Sequence, residues 1–168
     1  MVAIARACAE GRIDATVAVV ISDNPGAGGL ERARELGLAA TVVDAAAFRR
    51  EGRLDRSAFE AAIEEQIRAH GGEAIVLAGF MRVLSGSFAQ RHAGRMLNIH
   101  PSLLPLYPGL DTHARALAAG DRQHGVTVHF VTAELDGGPA VIQSTVPVLA
   151  GDDIQRLSAR VHAAEHII

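Results

Sequence analysis

The sequence predicts a doubly wound α/β fold, with a mostly parallel sheet and helices on both faces. Three observations carry that expectation: short β-branched runs without in-out alternation, helical patterns between them, and glycines where those patterns stop. Residues 16–22 form such a run, suited to a strand covered on both faces. The turn at 23–29 follows, then a helical pattern over 30–38 stopping at Gly37, and a strand over 39–43. Residues 56–70 place Phe59, Ile63 and Ile67 on one helical face, and Gly71 and Gly72 end that helix. A strand at 74–78 comes next. Apolar runs at 96–99, 126–131 and 140–148 then alternate with helical patterns at 85–93, 112–119 and 152–166. Ligands of such folds gather where strands end.

A length of 168 residues fits one domain, so residues 1–168 are read as a single unit of fold. With 49% hydrophobic and 21% charged residues the chain has the composition of a globular protein. Its formal charge of -3 and 4% aromatic content disfavour a nucleic-acid binder, which needs a basic, aromatic-interleaved surface. Cys8 is the only cysteine, which excludes an internal disulfide or thiolate metal site and fits a reducing, cytoplasmic setting. No apolar run reaches membrane-spanning length and no signal-peptide pattern opens the chain. Small-molecule chemistry is the expectation, with no nucleic acid, no membrane, and a monomer or homodimer.

The residues that carry chemistry sit at the end of the 96–99 run. A strand period of two puts Asn98 and His100 on the same side, so an amide and an imidazole point together. The stretch 102–109, with Pro105, Pro108 and Gly109, is too stiff for a helix and suits a fixed loop lining a pocket. Asp136, followed by Gly137 and Gly138, lies in a tight turn that can present its carboxylate to His100. A carboxylate beside a histidine favours the imidazolium, which donates to a developing oxyanion, and Asn98 supplies a second donor. Acyl or formyl transfer to an amine needs such donors and no enzyme nucleophile. By spacing alone the bland reading is strong, since an Asn or His near a strand end is commonly a satisfied polar group.

Five blocks in order weigh against chance: LAGFMRVL at 77–84, LNIHPSLLP at 97–105, YPGL at 107–110, GVTVHFV at 125–131 and LDGGP at 135–139. In these blocks the chain resembles the phosphoribosylglycinamide formyltransferases over nearly its whole length. The resemblance implies the formyltransferase fold and transfer of a formyl group from 10-formyltetrahydrofolate to glycinamide ribonucleotide in purine synthesis, with no metal. It implies that Asn98, His100 and Asp136 are catalytic. It also implies that Arg56, Met81, Arg82, Val83, Leu84 and Asn98 contact the folate, and that Glu165 holds the ribonucleotide. Read without the family, Met81 to Leu84 is an ordinary strand exit and Glu165 a charged residue on an exposed helix face.

The family opens with a strand and a phosphate-binding loop, and continues past the last helix. Here residues 2–9 read as the back half of a helix and the chain stops on Ile167 and Ile168, so the expectation is a chain truncated at both ends. Gly26, Gly28 and Gly29 lack the full dinucleotide fingerprint and are read as a turn. Four other readings stay open. A formyltetrahydrofolate deformylase and a methionyl-tRNA formyltransferase share the cofactor and the trio. A non-catalytic folate-binding module would need no trio. A zinc metallohydrolase would use His162, Glu165 and His166, which fit an inverted H-x-x-E-H pattern but lack a third protein ligand.

Overall fold

The computed structural model describes residues Met1–Ile168, whose contacts divide between two units, Met1–Glu73 and Ala74–Ile168. In the first unit, α1 (Val2–Ala9) buries Ala5 and Ala7. Strand β1 (Val20–Ser22) is shorter than the β-branched run that predicts it. Asn24 then accepts a hydrogen bond from the Gly26 N–H, an Asx turn that makes the glycine-rich stretch a turn, as its sequence predicts. Helix α2 (Gly28–Glu35) buries Leu30 and Ala33, and β2 (Ala40–Val42) pairs parallel with β1, Val20 opposite Ala40.

A short 3-10 helix (Ala45–Phe48), capped by Asp44, follows, and then β3 (Arg49–Arg50) and β4 (Arg53–Leu54) form an antiparallel hairpin. The hairpin turns through Glu51 at φ 49° and Gly52 at φ 78°, the pair of left-handed residues that a two-residue turn between twisted strands requires. Two-residue strands carry no periodic signal, so the sequence reading passes over them. Helix α3 (Arg56–Ala69) starts where its pattern predicts, because the Asp55 carboxylate accepts from the Ala58 N–H. Its face buries Phe59 edge-on to Phe48, with ring centroids 5.8 Å apart.

The second unit is built on a four-stranded sheet in the order β5 (Ile75–Leu77), β6 (Met96–His100), β7 (Gln123–Phe130), β8 (Ala140–Pro147). Here the pairing departs from the mostly parallel expectation while the α/β class stands. Strands β5 and β6 are parallel, whereas β6–β7 and β7–β8 are antiparallel. The physical reason is clearest at β7–β8, where the link is too short for the crossover that parallel strands need. Helix α4 (Gly86–Arg91), capped by Ser85, joins β5 to β6, and α5 (Thr112–Ala119) lies between β6 and β7.

Helix α6 (Ile154–Glu165) closes the unit, capped by Asp153 on the Arg156 N–H. Its buried Leu157, Val161 and Ala164 cluster with Val126 of β7 and Val146 of β8. Alternation along β7 turns Val126 to this cluster and leaves Thr127 and His129 for the opposite face. No helix is long and apolar enough to cross a membrane.

Leu157 is wholly buried, so Leu157→Ala leaves a cavity and is expected to lower the unfolding free energy by about 2–5 kcal/mol in denaturant titration. Asp152 tests electrostatics at the same helix. Both its oxygens accept from Arg160, at 2.7 and 3.1 Å, and the Leu149 N–H donates at 2.8 Å. These bonds, the Arg160 one first, hold its carboxyl below the usual 3.8, at about 2. A depressed folded value means the stabilisation is complete above the unfolded value and lost as pH falls through the folded one. The stability gap between wild type and Asp152→Asn is therefore expected to be full above pH 3.8 and to close as the pH falls through about 2.

Candidate active site

Asn98 and His100 project from one face of β6, as the period of two predicts, and His100 is the strand's last residue. The antiparallel neighbour completes a square of polar side chains, with His129 opposite Asn98 and Thr127 opposite His100. Asn98 Nδ2 lies 3.1 Å from His129 Nε2. The other His129 nitrogen, Nδ1, is 3.0 Å from the Phe130 carbonyl, which can only accept, so Nδ1 carries the proton and Nε2 accepts from the amide.

Asp136 comes to this square from the β7–β8 turn, where it adopts the left-handed conformation at φ 51° that aspartate tolerates. Its side chain is only 8% exposed. Oδ2 accepts from the Gly109 N–H at 2.8 Å and stands 3.4 Å from His100 Nδ1, and Oδ1 stands 3.6 Å from His129 Nε2. The two histidine contacts are longer than a good charge-assisted hydrogen bond, so they act as electrostatic neighbours, and the Gly109 amide is the close partner. His100 is held most tightly elsewhere. Its Nε2–H donates at 2.9 Å to the carbonyl of Tyr107.

The loop between β6 and α5 is fixed by side chains that capture its backbone, which is how the stiff proline-rich stretch keeps its shape. Ser102 Oγ donates to the Leu106 carbonyl at 2.6 Å, and Arg115 donates to that of Pro108 at 2.6 Å. Thr127 Oγ1, wholly buried on β7, donates to the Ser102 carbonyl at 2.7 Å and accepts from the Leu104 N–H at 3.1 Å. A polar group buried so deeply needs these bonds, and the loop supplies them.

Not every sequence-predicted residue joins this cluster. The structure brings Asn98, His100 and Asp136 together, with His129 between the amide and the carboxylate. Met81 and Val83 are exposed at 76% and 58%, an apolar ledge beyond β5, while Arg82 and Leu84 are half-buried. Parallel pairing of Leu77 with Asn98 directs this ledge out of the same sheet end as His100. Arg56 is exposed at the first position of α3, in the first unit. Glu165 is paired with His162 Nδ1 at 3.2 Å on its own helix and makes no bond to the trio.

Sequence reading passed over Thr127, His129 and Tyr107. A signal for the first two was present, because both fall on one parity of β7, alternating with Val126, Val128 and Phe130. Tyr107 enters through its backbone carbonyl, for which side-chain chemistry offers no signal. The zinc reading gains no support from geometry. His162 and His166 stack edge-on with centroids 4.5 Å apart, and no group of His, Cys, Asp and Glu in the chain is arranged to hold a metal ion.

A histidine, a carboxylate and an amide gathered at the end of a sheet strand make the kind of donor set that acyl transfer uses. The chain belongs to the formyl transferase family, whose model matches residues 1–168. It is 49% identical to the phosphoribosylglycinamide formyltransferase of Escherichia coli (strain K12), over 99% of this chain and 76% of that protein. Among solved structures it resembles glycinamide ribonucleotide transformylase 1 from Symbiobacterium toebii, with a TM-score of 0.92, 48% identity, and coverage of 99% of this chain and 76% of that one. The phosphoribosylglycinamide formyltransferase from Coxiella burnetii gives a TM-score of 0.89 at 40% identity, with the same coverage.

The turn that presents Asp136 makes a test of geometry. A Cβ on Gly138 would lie 1.8 Å from the Phe130 carbonyl oxygen, whereas one on Gly137 would meet only the flexible Glu134 side chain. Gly138→Ala is expected to lower the thermal midpoint clearly and Gly137→Ala much less. Equal effects from the two in calorimetry would contradict this placement of the turn.

Proposed function

We propose that the chain transfers the formyl group of 10-formyltetrahydrofolate to the amine of glycinamide ribonucleotide, with Asn98, His100 and Asp136 as the catalytic groups. The observation that carries this reading is the buried Asp136 carboxylate set between two histidines and beside the strand-end amide. The amine nitrogen attacks the formyl carbon, forming a new C–N bond while the carbonyl electron pair moves to oxygen. Asn98 keeps a second N–H on Nδ2, and it and His100 Nε2–H donate to that oxyanion. Asp136 faces the other ring nitrogen, Nδ1, at 3.4 Å. Collapse breaks the bond to the folate nitrogen, which takes up a proton as the attacking amine loses one, through proton relay.

His100 Nε2–H is engaged with the Tyr107 carbonyl, so donation to an oxyanion exchanges or shares that acceptor. A donor already held in direction loses little on making the exchange. The exposed apolar ledge of Met81 and Val83 fits the flat apolar surface of a pterin, and Arg82, Leu84 and Asn98 complete the folate contacts in this reading. Arg56 is assigned to the folate and Glu165 to the ribonucleotide by resemblance. The family match across both units supports treating 1–168 as one formyltransferase domain. Small-molecule partners, no nucleic acid or membrane, a cytoplasmic setting, and a monomer or homodimer complete the proposal.

His100→Ala is expected to lower turnover about 100-fold or more, the usual cost of losing one oxyanion donor. Near-normal turnover would remove His100 from the mechanism. Supplying 10-formyltetrahydrofolate with glycinamide ribonucleotide, formylatable tRNA or water alone decides the acceptor. Formylation of the ribonucleotide is expected, and exclusive transfer to tRNA or water would overturn the assignment.

A further inference from the structure

His100 has two ring nitrogens and two unequal partners. The carboxylate of Asp136 is 3.4 Å from Nδ1, whereas the Tyr107 carbonyl is 2.9 Å from Nε2, so the shorter and more directional contact is the carbonyl. What fixes that carbonyl therefore fixes the imidazole. Tyr107 lies at φ 56°, in the left-handed region that a tyrosine rarely adopts. Relaxation to an ordinary conformation would swing its carbonyl away from His100.

We propose that Tyr107, anchored through its hydroxyl to Asp121, is a positioning residue whose backbone carbonyl fixes the orientation of the His100 ring for the reaction. The Tyr107 hydroxyl donates to Asp121 Oδ2 at 2.5 Å. Asp121 is placed by the end of α5, where Gly120 turns left-handed at φ 71° and the Asp121 N–H donates to the Ala116 carbonyl. The Arg115 guanidinium lies 5.2 Å over the tyrosine ring and the buried His124 meets it at 6.1 Å in an edge contact, so two neighbours restrain the ring. The hydrogen bond to Asp121 raises the phenol above its usual range, which keeps the hydroxyl a donor. Neighbouring carbonyls at Leu106 and Pro108 are held by Ser102 and Arg115, so the aromatic anchor governs the one carbonyl that faces the catalytic ring.

This inference rests on the assignment of His100 as catalytic, and the experiment separates the two. Tyr107→Phe removes one oxygen and Asp121→Ala removes the acceptor, while Asp121→Asn retains an acceptor oxygen. Each variant is assayed for kcat and KM toward 10-formyltetrahydrofolate and glycinamide ribonucleotide, beside His100→Ala. Tyr107→Phe and Asp121→Ala are expected to lower kcat about tenfold with KM held within about twofold, to be non-additive together, and to be largely rescued by Asp121→Asn. Solvent exchange of the His100 Nε2 proton, followed by NMR in the histidine-labelled chain, is expected to speed up in either variant. That reading is independent of turnover and uses Asp121→Ala should Tyr107→Phe fail to fold.

If His100→Ala keeps its turnover, the catalytic assignment fails and only the exchange measurement bears on Tyr107. If His100→Ala is inactive while Tyr107→Phe and Asp121→Ala match wild type in kcat and proton exchange, the positioning role is overturned. A loss confined to KM, or additive losses in the double variant, would overturn it as well.

Discussion

The site depends on one buried carboxylate. Asp136 is withdrawn from water, and an ionised group in that position costs several kcal/mol unless charge and hydrogen bonds compensate it. The Gly109 amide supplies the close hydrogen bond, and the His100 ring stands 3.4 Å away. Two loops are tied by this arrangement, because Gly109 belongs to the segment after β6 and Asp136 to the turn before β8. The carboxylate therefore orders the backbone around the reaction as well as facing the histidine.

The antiparallel pairing of β7 with β6 makes this possible. Only in that register do Thr127 and His129 stand opposite His100 and Asn98, giving each of these two side chains a polar neighbour across the sheet. Thr127 then fastens the Ser102 end of the loop, and Asp136 fastens the Gly109 end. The loop is carried by a strand side chain at one end, by the β7–β8 turn at the other, and by Arg115 of α5 between them. Val126 and Leu157 matter for the same reason at longer range, since the cluster on the other face keeps β7 in place.

Much of this is legible in the sequence, for reasons that differ by element. Helix α3 begins at its Asp55 cap and α5 stops at Gly120 as their patterns predict, since capping and glycine stops are local signals. The pairing of Asn98 with His100 is equally local, a consequence of strand geometry. The strand directions of the second unit are not local, and an alternating order of elements suggests parallel crossovers where the chain makes antiparallel returns. The β3–β4 hairpin leaves no mark in the sequence because strands of two residues have no period. Glu165 and Arg56 were legible only through resemblance, as each is an ordinary charged helical residue in its own surroundings.

The least legible contribution comes from the main chain. A side chain announces its chemistry by type, but the Tyr107 carbonyl acts on His100 through a direction set by φ, which no residue name specifies. The same holds for the Gly109 amide on Asp136. Together these two backbone groups make the shortest polar contacts to the His100 ring and to the Asp136 carboxylate, at 2.9 and 2.8 Å. Both belong to one loop, so a displacement of that loop would disturb the imidazole and the carboxylate at once. Proline at 105 and 108 limits such displacement by removing backbone freedom. Rigidity of this kind preserves function because the donors are aimed before the charge they stabilise develops, and a site aimed in advance need not reorganise during the reaction.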